Sequence, residues 1–336
     1  MKRRRSRLRI VGLLLLLVIL AGIYELHRLS QPYRGFDNET FVDLPRGIST
    51  MAMASRLAEA GVVGSRWDFV AARLARRGHA LKAGEYRFND PATPLEVFDR
   101  IARGDAFHYT LAVPEGKNIF DIGSAAEQIG IFTAERFVKA ASNPALIRDL
   151  DPEAPNLEGY LFPDTYKLGR QTTPEELCRL MVARFREVWR GLGVTAAPHD
   201  IVTLASLVEK EGKLSEERPM IAAVFENRLR IGMKLDCDPT TIYAAELDGR
   251  YRGAIHRSDL DSRNLYNTYQ HAGLPPGPIA NPGLGSLHAA LHPAHTDALY
   301  FVLHPDGSGS HQFSKDIAAH QKAVEAYRRG LRKPVR

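Results

Sequence analysis

The chain has 336 residues, 44% of them hydrophobic and 25% charged, an ordinary globular composition whose length suggests two domains. Its formal charge is +6, yet Lys2, Arg3, Arg4, Arg5, Arg7 and Arg9 supply six positive charges by themselves, and 39 basic residues then face 39 acidic ones. A nucleic-acid binder carries its surplus on the folded domain, along a face or groove, so this balance speaks against nucleic acid as the partner.

Residues 1–9 form a basic N-terminus, and Ile10–Tyr24 (IVGLLLLLVILAGIY) follows as an apolar run with no charged residue. Leu8, Leu26 and a snorkelling Arg9 lengthen it toward the ~20 residues that a bilayer needs. The expectation is a single-pass transmembrane anchor over residues 10–26. The basic flank predicts a cytoplasmic N-terminus, with the remainder outside a plasma (inner) membrane. A cleaved signal peptide begins in the same way, but Ala21-Gly22-Ile23 offers no A-x-A pattern and bulky Ile23, Tyr24 and Leu26 follow.

Residues 27–38 read as a linker, and residues 39–105 as a small α+β module. Thr40–Leu44 predicts a strand, Met51–Gly61 a helix, and Ser65–Arg77 a second helix with Trp67, Val70, Ala71 and Leu74 at i, i+3, i+4 and i+7. Gly84–Phe88 alternates like a strand and Pro94–Arg103 looks helical. This strand–helix–helix–strand order resembles a LysM-like glycan-binding module, and a plain spacer between the membrane and the second region fits the pattern equally well.

Residues 106–331 form the second region, expected as a larger mixed α/β domain with a helical core, so that the whole chain is α+β. Phe107–Val113 opens it as a strand. Helical patterns follow to Asp149, then a loop, then a long helix from Pro174 to about Leu192. The two cysteines, Cys178 and Cys237, define no metal spacing or disulfide framework and read as small buried or free thiols, with pairing in an oxidising compartment left open.

Residues 200–235 are the most informative. Asp200 is a plausible N-cap for a helix from Ile201 to Glu211, with Gly212 as its stop. Ile201, Leu204 and Val208 mark one apolar face; Glu211 falls on it, whereas Glu209 lies to the side. Desolvation on that face raises the pKa of a carboxyl group, and the negative end of the helix dipole does the same. A Glu kept protonated near neutral pH is what a general acid for glycoside cleavage requires. A Glu neutralised by a neighbouring Lys or Arg would carry the same pattern.

LASLVEKE at 204–211 and VFENRLRIGMKLDCDPTTIY at 224–243 resemble the YceG-like family of endolytic murein transglycosylases. The resemblance continues through EGYLFPDTY at 158–166, YNTY at 266–269, GLPPGPIANPG at 273–283, HP at 292–293, YFV at 300–302 and HQF at 311–313. It covers most of residues 107–330 and implies that Glu211, the second acid of the E-K-E triplet, is catalytic. It further implies non-hydrolytic cleavage of the bond between N-acetylmuramic acid and N-acetylglucosamine in peptidoglycan glycan strands, leaving a 1,6-anhydro end. Ordinary glycosidases use two carboxyl groups. Here the 6-hydroxyl of the substrate attacks its own anomeric carbon, so one suffices and no cofactor is needed. Action near strand elongation, beside peptidoglycan synthases, is implied as well.

Several residues are expected to line a glycan cleft. Glu158 and Tyr160 belong to the aromatic loop, whose rings suit sugar faces or a packed corner. Tyr266, Asn267 and Thr268 offer hydroxyl and amide groups. Ser215 reads as the N-cap of the next helix, whose buried stripe is Ile221, Val224, Phe225 and Leu229, with Asn227 and Arg228 beside it; Glu217 and Arg218 read as a structural pair. Asp238, like Asp164, keeps a hydrolytic two-carboxylate mechanism open, and a non-catalytic peptidoglycan-binding scaffold is a third reading. The Gly273–Gly283 loop, with four prolines and three glycines, is rigid enough to shape a groove. His288, His292 and His295 have a spacing that can ligate zinc, but Pro293 interrupts the helix and no Glu lies between the first pair, so no metal is expected.

Overall fold

A single helix, α1 (Lys2–Leu29), carries the basic N-terminus directly into the apolar run. The structure is a computed structural model; it describes residues 2–76 and 78–331, and divides into two units between His108 and Tyr109. Within α1, Gly12–Leu29 is long and apolar enough to cross a membrane by length and composition. Leu13 to Leu17 are exposed.

Beyond α1 the first unit runs β1 (Thr40–Leu44), α2 (Thr50–Glu59), α3 (Arg66–Ala75), β2 (Gly84–Phe88) and α4 (Pro94–Arg103). β1 and β2 pair antiparallel, Thr40 opposite Phe88 and Leu44 opposite Gly84, so that Val42, Leu44, Tyr86 and Phe88 share the buried face. The helices start where side chains supply the missing acceptors: Ser49 takes the Ala52 amide, and Thr93 and Glu96 form a reciprocal capping box ahead of Pro94. Leu57, Phe69, Phe98 and Ile101 fill the centre. Residues 27–38 are no free linker. Leu29 is buried in this core, Tyr33 bridges Ala92, and the Gly35 amide donates to Gly61 O at 2.8 Å. α3 also departs from expectation. Its buried residues are Asp68, Phe69 and Ala72, while Trp67 and Leu74 of the anticipated stripe are 55% and 58% exposed. Phe69 is the larger anchor for the core, and Asp68, fixed by its own capping box, sets the phase of the helix.

The second unit runs β3 (Tyr109–Ala112), α5 (Ile119–Gln128), α6 (Ala134–Ala141), β4 (Thr165–Leu168), α7 (Pro174–Gly191), α8 (Pro198–Glu211), α9 (Arg218–Arg230), α10 (Asp238–Leu247), α11 (Arg257–Leu260), α12 (Leu284–Leu291), β5 (Tyr300–Leu303), β6 (His311–Ser314) and α13 (Ile317–Leu331). Its strands form two antiparallel ribbons, β3 with β4 and β5 with β6, on a helical body; the class is α+β. α8 is the axis, packed against α9, α10 and α12, and every residue from Val202 to Val208 is buried. It begins earlier than expected: Pro198 takes the first helical position, Ala197 is the cap, and Asp200 sits in the first turn, where its charge meets the positive end of the helix dipole. Ser215 starts a short 3-10 turn, and α9 follows it from Arg218, burying Ile221, Val224 and Phe225.

Candidate active site

α8 delivers two carboxylates at its C-terminal end, and they meet different partners. Glu209 is neutralised: its Oε1 accepts from Arg218 at 3.0 Å, and its Oε2 accepts from the Gly283 amide at 3.0 Å. Glu115 lies 3.6 Å from the same guanidinium. Among the described residues no such cation is in ion-pair contact with Glu211. Its Oε1 accepts a hydrogen bond from the Cys237 thiol at 3.3 Å, and it opens on a cleft of about 360 Å³ lined by Phe225, Arg228, Leu235, Asp236, Cys237, Asp238, Tyr269, Tyr300, Phe301, Ile317 and His320. Burial pushes the Glu211 carboxyl above its ordinary range and the charge of Asp238 adds to this, while the thiol, His311 and Arg228 pull the other way. Its place in the last turn, ahead of Gly212, adds the unfavourable end of the helix dipole.

The thiol is aimed by its backbone. Asp236 has φ +46°, alone among the described non-glycine residues in the left-handed region, and it turns the chain immediately before Cys237. Thr268 Oγ1 accepts the Cys237 amide at 3.0 Å, and Thr240 Oγ1 donates to Cys237 O at 2.6 Å. The two threonine hydroxyls meet at 2.8 Å, so Cys237 is gripped on both sides. Burial, then the charge of Glu211, push the thiol well above its ordinary pKa; it stays a neutral donor. Asp238, the first residue of α10, accepts from the Tyr269 hydroxyl at 2.6 Å. Burial also raises Asp236.

The facing wall comes from α9 and the β5–β6 ribbon. Arg228 donates to Leu299 O and Leu235 O, both at 2.6 Å, and lies over the Tyr300 ring at 5.3 Å; His320 stacks on that ring at 5.0 Å. Behind them Glu217 takes the His311 amide at 2.8 Å and contacts its Nδ1 at 2.7 Å, while the His311 ring meets Phe301 edge-on. Glu217 and Arg218 are therefore no pair: each serves a different partner.

The YceG-like family matches residues 42–326, a span that includes the cleft and most of the front unit. The chain belongs to that family. It is 31% identical over 307 residues to the endolytic murein transglycosylase of Bacillus subtilis strain 168, covering 85% of this chain and 84% of that one. It is 28% identical over 296 residues to the endolytic murein transglycosylase of Streptococcus pneumoniae strain D39, and spans 53% of the length of that longer relative. A crystal structure of a yceG-like protein from Listeria monocytogenes shares 29% identity with a TM-score of 0.54, over 85% of this chain and 99% of that one.

In this YceG-like chain the cleft unites Glu211, Arg228 and Asp238 among the residues singled out in the sequence. The others stand behind its walls. Glu158 is fully buried; its Oε2 accepts from the Ile119 amide at 2.9 Å and its Oε1 from Asn281 Nδ2 at 2.7 Å, and burial pushes it up to about 8. Tyr160 is equally buried and hydrogen-bonds Asp151. The aromatic loop is thus a packed corner, with Phe162 and Tyr166 in the core. Asn227 Nδ2 donates to Thr296 O and Ala298 O, which fixes the approach to β5. Tyr266 packs on Tyr243, Asn267 Nδ2 donates to the carbonyls of Asp259, Leu260 and Ser262, and Thr268 holds Cys237. These side chains serve loops because loop backbones need side-chain partners that helices do not.

The Gly273–Gly283 loop does not line this cleft; it clasps α8 through Ile279 N to Ser206 Oγ at 3.0 Å and Gly283 N to Glu209. Asp164 is bound to Arg184 at 2.9 Å and lies outside the cleft. The rings of His288 and His292 meet at a tilt of 53°, 4.7 Å apart, at the end of α12. Sequence reasoning missed Asp236, Tyr269, Tyr300 and His320. Asp236, Tyr269 and Tyr300 lay inside motifs already noted, but the positive φ of Asp236 left no signal in composition.

Proposed function

We propose that Glu211 is the single general acid and base with which this chain, an endolytic murein transglycosylase like its curated relatives, cleaves glycan strands. The observation that carries the reading is the contrast on α8: Glu209 is neutralised by Arg218, whereas Glu211 faces the cleft with its carboxyl held toward protonation by burial. Protonated Glu211 donates to the oxygen leaving the anomeric carbon of N-acetylmuramic acid, as the bond to N-acetylglucosamine breaks. The resulting carboxylate accepts the proton of the 6-hydroxyl as that oxygen closes on the same carbon, and the product ends in a 1,6-anhydro ring. Arg228, Asp238, Tyr269 and Tyr300 are the groups placed to hold sugar hydroxyls, acetamido groups and ring faces.

Around this core, α1 anchors the chain once in the plasma membrane with its N-terminus in the cytoplasm, as the basic flank directs. The first unit acts as a LysM-like glycan-holding module, and the enzyme works on nascent strands beside a synthase. A hydrolytic second reading is favoured by one observation: Asp238 shares the cleft with Glu211. Digestion of purified peptidoglycan by the full chain in detergent, with product ends identified by mass spectrometry, separates the two. Anhydro ends support the proposal; reducing ends assign a muramidase. Glu211→Gln is expected to lose activity by roughly 10²–10⁴-fold, the usual contribution of a general acid, and normal cleavage by that variant removes Glu211 from the mechanism.

A further inference from the structure

α3 leaves the two largest members of its apolar stripe outside the core of its unit. Trp67, Val70, Ala71 and Leu74 stand at i, i+3, i+4 and i+7; Val70 and Ala71 are half-buried against the core of this unit, whereas Trp67 and Leu74, the two largest, are more than half exposed. Water is a poor home for such side chains, since exposed apolar surface forgoes the free energy that burial would supply. Beside the stripe lies positive charge: the Arg66 guanidinium sits over the Trp67 ring at 5.2 Å, and Arg73, two turns along the same edge, is exposed. An aromatic and aliphatic stripe edged with arginine has the chemistry of a helix lying in a lipid headgroup layer.

Position says which surface meets it. Arg28, in the last turn of α1, pairs with Asp68, the residue next to Trp67. Leu29, the last residue of α1, is already inside the core of this unit. The apolar length of α1 therefore ends beside the first turn of α3, next to Trp67. We propose that the Trp67–Leu74 face of α3 rests on the headgroup layer of the bilayer that α1 crosses, with Arg66 and Arg73 reaching the phosphates of anionic lipids, so that the first unit is a membrane-seated platform. The inference rests on reading α1 as a retained anchor.

Reconstitution of the full chain in vesicles of phosphatidylcholine and phosphatidylglycerol tests it. The other tryptophan, Trp189, is buried in the second unit, so the emission lost in Trp67→Phe belongs to Trp67. Lipids brominated near the headgroup end of the acyl chain are expected to quench most of that Trp67 emission, and aqueous iodide to quench little of it. Full quenching by iodide with none by brominated lipid overturns the proposal. Shielding from both quenchers means that a second copy of the chain covers the face, and overturns it too. A chain that fails to float with the vesicles defeats the anchor reading itself, a result that flotation reports separately from the quenching.

Discussion

Glu209 and Glu211 stand two residues apart on one helix and differ in what reaches them: an arginine and an amide for the first, a thiol for the second. The apolar-face argument pointed to Glu211, but α8 is buried on every side from Val202 to Val208, so no stripe separates the two acids. What separates them is Arg218, on the next helix, and the spacing of E-K-E contains no trace of it. A thiol donates weakly, which leaves the Glu211 carboxyl raised by its burial. A general acid works while protonated, so kcat/KM is expected to fall as pH rises through the Glu211 pKa. Cys237→Ala removes a donor that favours the carboxylate and is expected to move that falling limb to higher pH. Cys237→Ser supplies a stronger donor and moves it lower. One net hydrogen bond corresponds to roughly a fivefold change in rate at a pH on the limb. Superimposable profiles for parent, Ala and Ser proteins would deny the thiol this role.

At the scale of elements, the loops that were expected to touch glycan are the ones that fix α8. Glu158 and Asn281 are 123 residues apart in sequence and 2.7 Å apart in space. Aromatic and acidic residues in a loop suit a sugar or a packed corner equally, and only that distant partner decides between them. Burial raises Glu158 from 4.5 to about 8, so the folded state keeps a proton that the unfolded chain releases. The sign follows: the contribution of Glu158 to stability is greatest below pH ~4.5, declines as pH rises toward about 8, and then levels. Glu158→Gln, which cannot titrate, is expected to lose this slope in Tm against pH, even if its amide fits less well beside Ile119 N and Asn281. An unchanged slope would place the buried charge elsewhere. Gly159, at φ +86°, leaves space that a Cβ would fill at 2.4 Å from Pro278 Cγ. Gly159→Ala is expected to cost about 2 kcal/mol or more, read as a lower Tm, since backbone strain and a clash coincide. Elements with strong local punctuation were legible from sequence: Thr93-Pro94 opens α4 and Thr173-Pro174 opens α7, each with its capping box. The start of α8 was not, because Pro198 displaced the better capping residue, Asp200.

For the whole molecule, the α+β class and the basic, apolar N-terminus could be read directly, because composition and hydropathy are sums over many residues. The junction after α1 could not, since nothing local marks Leu29 as a core residue. This has a practical outcome. A chain beginning at Arg28 keeps the Asp68 ion pair and the buried Leu29. It is expected to leave the membrane fraction while still cleaving purified peptidoglycan. A chain beginning at Ser30 forfeits about 1.5–3 kcal/mol of leucine burial, and its first unit is expected to melt earlier in calorimetry. Equal melting of the two truncations would show that Leu29 contributes nothing to that core.

Both thiols of the protein are buried, and burial pushes Cys178 up to about 12 and Cys237 well above its ordinary value. Alkylating reagents attack thiolate, so the folded chain presents them with almost no target. Labelling then proceeds only when α7 or the Cys237 turn opens, and each cysteine becomes a clock for its own part of the fold. Pulsed alkylation read by peptide mass would time the breathing of the cleft at Cys237 against that of the core at Cys178, with no engineered probe and no substrate.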